Sequence, residues 1–216
     1  NVHIGCTKAT DAPSTLAVAQ LSEDGSASYR FYLEGTSLPM LSAKEAWAGL
    51  PEAYVALHVG TVGLVVEPTA SVLETLVDHA AANHVIMLDP NCRPAVVNDR
   101  GAFRDRTLRM IDKADLIKVS EDDVSFLFPD GGFDTVIERA VSRGAIILHT
   151  AGADPIDVYA HDGRAQVTPA QGEIVDTVGA GDIFGATVLW ALLEQGWGKG
   201  QRWGVDQVAP PSSDTT

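Results

Sequence analysis

The chain's 216 residues are 45% hydrophobic and 20% charged, the balance of one globular domain that can bury a sizeable core, with room for a small appendage. Fifteen Lys and Arg against 29 Asp and Glu leave a net charge of −14, which excludes nucleic acid or an anionic membrane as the main partner, since both require a basic face. Two distant cysteines, Cys6 and Cys92, exclude a disulfide framework or a zinc site of CxxC type; with no signal peptide and no apolar run of about 18 residues, the chain reads as cytoplasmic.

In chain order, residues 15–21 and 28–33 are predicted strands joined by the turn-rich link Ser22-Glu23-Asp24-Gly25-Ser26, which predicts a hairpin. Strands follow at 54–59, 85–88, 116–119, 145–149, 157–159 and 164–167. Helical periodicity fills the gaps between the middle ones. In 71–83, Val72, Leu73, Leu76, Val77 and Ala80 recur at helical spacing, and 103–111, 135–143 and the strongly apolar 183–194 behave alike. Strand–helix alternation from Tyr54 to His149 predicts a parallel sheet with helices on its faces, hence an α/β domain with a small β appendage near the N-terminus. His58 and His149 lie in apolar strands and read as core residues. From Gly196 onward periodicity is lost, and 196–216 reads as an irregular tail.

Sheets of this kind hold ligands beyond the carboxyl ends of their strands. Those ends carry Gly60-Thr61, Asp89-Pro90-Asn91-Cys92-Arg93-Pro94, Ser120-Glu121-Asp122-Asp123 and Thr150-Ala151-Gly152. Small and polar residues therefore gather on one edge. Ser120 followed by three acidic residues is also a good helix start in its own right.

The most informative stretch is Val175-Asp176-Thr177-Val178-Gly179-Ala180-Gly181-Asp182-Ile183-Phe184-Gly185. Its glycines stand where a helix begins. Glycine lets backbone approach a ligand closely, and a helix N-terminus offers unpaired N–H groups and a positive dipole end to an anion. The spacing is neither the GxGxxG of dinucleotide folds nor a Walker A loop, which needs Lys-Ser/Thr after the glycines. An Asp in such a turn can take a proton from a hydroxyl while the amides hold a phosphoryl group beside it.

This string resembles the second signature of the ribokinase-like (PfkB-type) sugar and nucleoside kinases, and the likeness extends over most of the chain. It implies a ribokinase-like three-layer α/β fold, with a central, mainly parallel sheet flanked by helices, in a partial kinase domain over 1–195. The small β lid is contributed by residues 12–36; Arg30 and Tyr32 read as builders of its sheet. It implies Asp182 as general base and an anion hole built from Gly179, Ala180, Gly181 and Asp182. Asp176 and the carbonyl of Val178 match positions lining a monovalent-cation site, for which K⁺ is the candidate. Lys118, Ser120 and Asp123 match a Lys-x-Ser/Asn-x-x-Glu segment that organises Mg²⁺, water and phosphate, with Asp123 where Glu is usual. Thr150 and Gly152 match a turn touching nucleotide phosphates, and Pro155 stands where relatives carry a further Gly. Asn91 and Arg93 match the Asp-Pro-Asn-x-Arg-Pro run of fructokinase-like and 2-keto-3-deoxygluconate-kinase-like members, where they meet the sugar.

The resemblance thus implies ATP and Mg²⁺ as cofactors, a small sugar as substrate, and a homodimer through the lid. Fructose is the first candidate; an acidic keto sugar, another sugar or a nucleoside remains open. Relatives also carry an upstream strand with a Gly-Gly-x-x-x-Asn segment and further helices downstream. Neither is visible here, so the chain reads as the middle and catalytic part of such a kinase, with a catalytically silent, kinase-like binding protein as the alternative.

Overall fold

The structure, a computed structural model, describes residues 7, 9–21, 27–170, 172 and 177–208. Strands β1 (Leu16–Leu21) and β2 (Ala27–Tyr32) pair antiparallel as a separate two-stranded sheet, the lid expected from sequence; the linking residues 22–26 lie outside the described residues. Helix α1 (Ala43–Gly49) was not predicted. Its signal was present, however: Ser42 and Glu45 form a capping box, the Ser–x–x–Glu pattern of a helix start.

The central sheet follows as β3 (Ala56–Gly60), α2 (Thr69–Ala80), β4 (Val85–Asp89), α3 (Arg100–Ile111), β5 (Leu116–Ser120), α4 (Glu121–Leu127), α5 (Phe133–Ser142), β6 (Ile146–Thr150), β7 (Ile156–Ala160) and β8 (Gly163–Val167), and then α6 (Ala180–Glu194) and α7 (Val205–Val208). Its six strands lie in sequence order. β3 to β6 pair parallel, and β7 and β8 add an antiparallel edge.

Why the middle strands are so apolar is visible in β4. Its residues Val85, Ile86, Met87 and Leu88 are each no more than 1% exposed. Val85 and Met87 pack with Leu192 and Trp197, while Ile86 and Leu88 pack with Val77, Phe103, Ile111 and Ala140. The period-two pleat therefore feeds two cores, with α2, α3 and α5 on one face and α6 on the other. Burying each such side chain contributes about 1.5–3 kcal/mol.

Residues 196–208 depart from the expected irregular tail; 209–216 lie outside the described residues. Trp197 is 3% exposed in the core beneath α6. Lys199 Nζ pairs with Asp115 at 2.8 Å, and the Val205 amide donates to Asp162 at 2.9 Å. The buried indole and these polar anchors, with Arg202 donating to the Ser142 carbonyl at 3.1 Å, hold a segment that carries no periodic pattern, which is why periodicity could not reveal it. No helix among the described residues is long and apolar enough to cross a membrane.

Outside the sheet, α2 and α3 are cross-linked by Glu74, which takes hydrogen bonds from Arg109 Nε at 2.6 Å and Arg106 Nε at 3.1 Å. The Arg109 bond is the main reason that the Glu74 carboxyl lies below its usual value of 4.5, with desolvation opposing it. A carboxylate depressed in the folded state adds stability above its unfolded pKa and loses it as pH falls through the folded one. Glu74→Gln should therefore flatten the acid limb of thermal stability below about pH 5. Melting curves between neutral and acid pH check this; an acid limb as steep as before would refute it.

Candidate active site

The site forms where α6 begins above the carboxyl ends of β3, β4 and β5. Gly179 is the N-cap of α6 in the left-handed region, at φ 79° and ψ −1°, a conformation open to Gly at little cost. No side chain caps this helix. The first-turn amides of Gly181 and Asp182 are left without intrahelical acceptors and point outward at the positive end of the dipole. Asp182 stands exposed in that same first turn. The sequence-predicted cradle and base are thus brought together on one helical turn.

Two further glycines serve close approach. A Cβ on Gly181 would lie 3.3 Å from Lys118 Nζ, and one on Gly185 would lie 2.6 Å from Met87 Cε and 3.5 Å from Lys118 Cδ. Spaced four apart, they share one face of α6 and let the helix settle on the sheet. The spacing that fails as a dinucleotide motif is explained by this packing.

Register places Gly60 beside Asp89, and Lys118 follows Leu116 and Ile117, which pair with Met87 and Leu88. Lys118 Nζ donates to Asp89 Oδ2 at 2.8 Å, with side-chain exposures of 6% and 2%. Burial pushes the Asp89 carboxyl above its usual range, while the Lys118 ammonium pulls it back. His58, expected in the core, instead stands exposed on the α6 face of β3. Desolvation against its neighbours holds its imidazole below the usual histidine range; Asp89 and Asp182 pull the other way, which puts all three in one electrostatic neighbourhood. His149 is half-buried, edge-on to the Phe133 ring at 5.6 Å, with Nε2 3.1 Å from Glu121.

Ser120 and Asp123 form a capping box at the start of α4. Ser120 N–H and Oγ–H donate to Asp123 Oδ2 at 2.8 and 2.7 Å, and the Cys92 amide donates to Oδ1 at 2.6 Å. Asp123 is 2% exposed. The expectation that Asp123 places Mg²⁺ meets a carboxylate whose two oxygens are already engaged in pinning α4 to the loop after β4. No group of three or more His, Cys, Asp or Glu able to hold a metal occurs among the described residues. The residues present do not by themselves fit Mg²⁺, whereas the amide cradle on α6 does fit a phosphate. Asp176 lies outside the described residues, and Val178 is 70% exposed beside the cradle.

Ser120 and Thr150 are register partners at the ends of β5 and β6, and Gly152 follows at φ +60°. Asn91, at φ +41°, turns the chain out of β4. Arg93 stands after β4 beside the lid. It lines a cavity of about 510 Å³ with Tyr29, Phe31, Arg100, Asp122 and Phe126, which includes neither Asp182 nor Lys118. Its guanidinium sits 5.9 Å from the Tyr29 ring. Cys92 is buried, and burial raises its thiol far above the usual range, with Asp123 adding to the effect, so it is no nucleophile. Sequence reasoning missed Asp89, His58, Tyr29 and Phe31. Alternation along 28–33 could have placed Tyr29 and Phe31 on one lid face, but only strand pairing shows that Asp89 meets Lys118.

The fold and the arrangement of this edge are those of an α/β domain of the sugar-kinase type. The family model described as "pfkB family carbohydrate kinase" matches residues 1–201, and the chain belongs to that family. A fructokinase of Rhizobium leguminosarum bv. trifolii is 35% identical over 193 residues, covering 89% of this chain and 59% of the relative; fructokinase-1 of Oryza sativa subsp. japonica is 30% identical, covering 85% and 58%. The chain therefore spans about three fifths of the curated relatives it matches. Among solved structures, fructokinase of Vibrio cholerae O395 with fructose, ADP and calcium ion superposes at a TM-score of 0.71 with 20% identity, over 90% of this chain and 62% of that one. Fructokinase of Xylella fastidiosa with bound ATP gives 0.73 and 20%, over 87% and 59%. These confirm the ribokinase-like fold expected from sequence.

Proposed function

We propose that this chain carries the catalytic part of an ATP-dependent sugar kinase that moves the γ-phosphate onto a hydroxyl of fructose. The carrying observation is Asp182 in the same uncapped first turn of α6 as the Gly181 and Asp182 amides. The Asp182 carboxylate takes the proton of the attacking hydroxyl, and the backbone N–H groups meet charge gathering on the phosphoryl oxygens. ATP supplies the phosphoryl group when bound, and Thr150 and Gly152, at and just after the end of β6, are the residues we assign to its phosphates. Mg²⁺ enters only as a companion of the nucleotide, and no step is assigned to it. The names of the relatives support fructose. The lid carries Leu16, Val18 and Tyr32 exposed by 58, 44 and 51%, apolar area suited to a lid-to-lid homodimer.

A second reading, phosphorylation of 2-keto-3-deoxygluconate, draws on the cavity where Arg93 and Arg100 face Tyr29 and Phe31, since planar guanidiniums suit a sugar carboxylate. ADP release measured against fructose, other ketoses, aldoses and 2-keto-3-deoxygluconate separates the two. Fructose-dependent ADP release is expected. Turnover with the acidic sugar alone would favour the second reading, and none with any sugar from a folded sample would turn the assignment to a kinase-like binding protein.

A further inference from the structure

We infer that Asp89 and Lys118 form a buried charge support beneath the phosphate cradle, with Asp89 the positioning residue that holds the Lys118 ammonium under the first turn of α6. The inference rests on the kinase reading only in naming the anion a phosphate.

Lys118 lies below the cradle and against it, because a Cβ on Gly181 would be 3.3 Å from its Nζ and 3.4 Å from its Cε. A buried cation at the positive end of a helix dipole is unfavourable by itself. Asp89 offsets it through one oxygen at 2.8 Å, while its other oxygen, Oδ1, is buried and has no hydrogen-bond partner among the described residues. That oxygen is an acceptor still lacking a donor, while the ammonium itself lies against the first turn of α6. Gly181 is the position where α6 lies on the lysine tip, whereas at Gly185 the tight neighbour is Met87 Cε and the lysine stem is at ordinary contact distance. A negative group in the cradle completes the arrangement. The other charged groups facing the pair are His58 from β3, Asp123 from α4 and Asp182 from α6.

Two variants of the full chain, titrated with inorganic phosphate and followed by the amide NMR signals of Gly181 and Asp182, test this. The double variant Lys118→Met with Asp89→Asn keeps volume and leaves no unpaired charge. It is expected to unfold cooperatively and to bind phosphate about threefold or more weakly, because the ammonium against the first turn is lost and the removal of its counter-ion offsets only part of that loss. Asp89→Asn alone removes a negative charge near an anion site, which by net charge would tighten phosphate binding. Positioning requires that it weaken. Unchanged affinity in the double variant, or tighter binding in the single one, would overturn the inference. If phosphate binds as expected but no sugar is phosphorylated by the unvaried chain, the kinase reading falls and the charge support stands. If sugar is phosphorylated and both variants bind phosphate like the unvaried chain, the reverse holds.

Discussion

Asp182→Asn is expected to keep nucleotide affinity and to lower phosphoryl transfer by at least ~10²-fold, the scale of a positioned general base. The cradle is backbone, from Gly179 in its left-handed N-cap through the first-turn amides, and an amide side chain at 182 leaves that backbone in place. The carboxamide matches the carboxylate in shape but cannot take the hydroxyl proton. Loss of kcat with little change in ADP dissociation constant is the expected pattern. Near-normal turnover would remove Asp182 from the mechanism; a parallel loss of nucleotide affinity would show that the carboxylate shapes the cradle instead.

Gly60→Ala is expected to lower stability by about 2–3 kcal/mol through overpacking, a fall of roughly 5–10 °C in melting temperature for a domain of this size. Backbone conformation is not the reason. Gly60 is extended, at φ 176° and ψ −172°, which any residue adopts. The obstacle is the neighbouring strand. A Cβ at 60 would overlap the carbonyl oxygen of Asp89 and lie 3.2 Å from its carbon. A main-chain carbonyl inside a parallel sheet cannot swing aside as a side-chain tip can, so β3 and β4 must part where they are in register. The shift would also move Asp89 from Lys118, so phosphate affinity should fall together with stability. A melting temperature unchanged from that of the unvaried chain would show that the strands yield without strain. By contrast, Gly185→Ala meets Met87 Cε, the free end of a flexible side chain, and is expected to cost less.

Much of the site was legible because its parts are short and local. The Gly179–Asp182 turn announces a helix start with a carboxylate in it, and the structure builds α6 from Ala180 with Asp182 in its first turn. Ser120 with Asp123 announces a capping box, and the box is there. The same two residues show where local reading stops. Nothing near Asp123 in sequence indicates that Cys92, 31 positions earlier, would spend its amide on the same carboxylate. That contact makes Asp123 a buried clamp between α4 and the loop after β4. His58 sits in an apolar run, and its exposure depends on its place on β3, the outer strand of the sheet opposite β8.

By itself the sequence determined the α/β class, the antiparallel strand pair near the N-terminus and the glycine-opened start of α6, since each follows from periodicity or from a motif a few residues long. Hydrophobic period and helix capping act between neighbours in the chain, so they can be read there. The tertiary structure alone decided that Lys118 is paired by Asp89, that Gly181 and Gly185 are glycines because the lysine and Met87 lie against them, that Arg93 lines a cavity with the lid's Tyr29 and Phe31, and that Trp197 closes the lower core. Those outcomes depend on strand register and on which helix covers which face, and both are set by the packing of segments far apart in the chain.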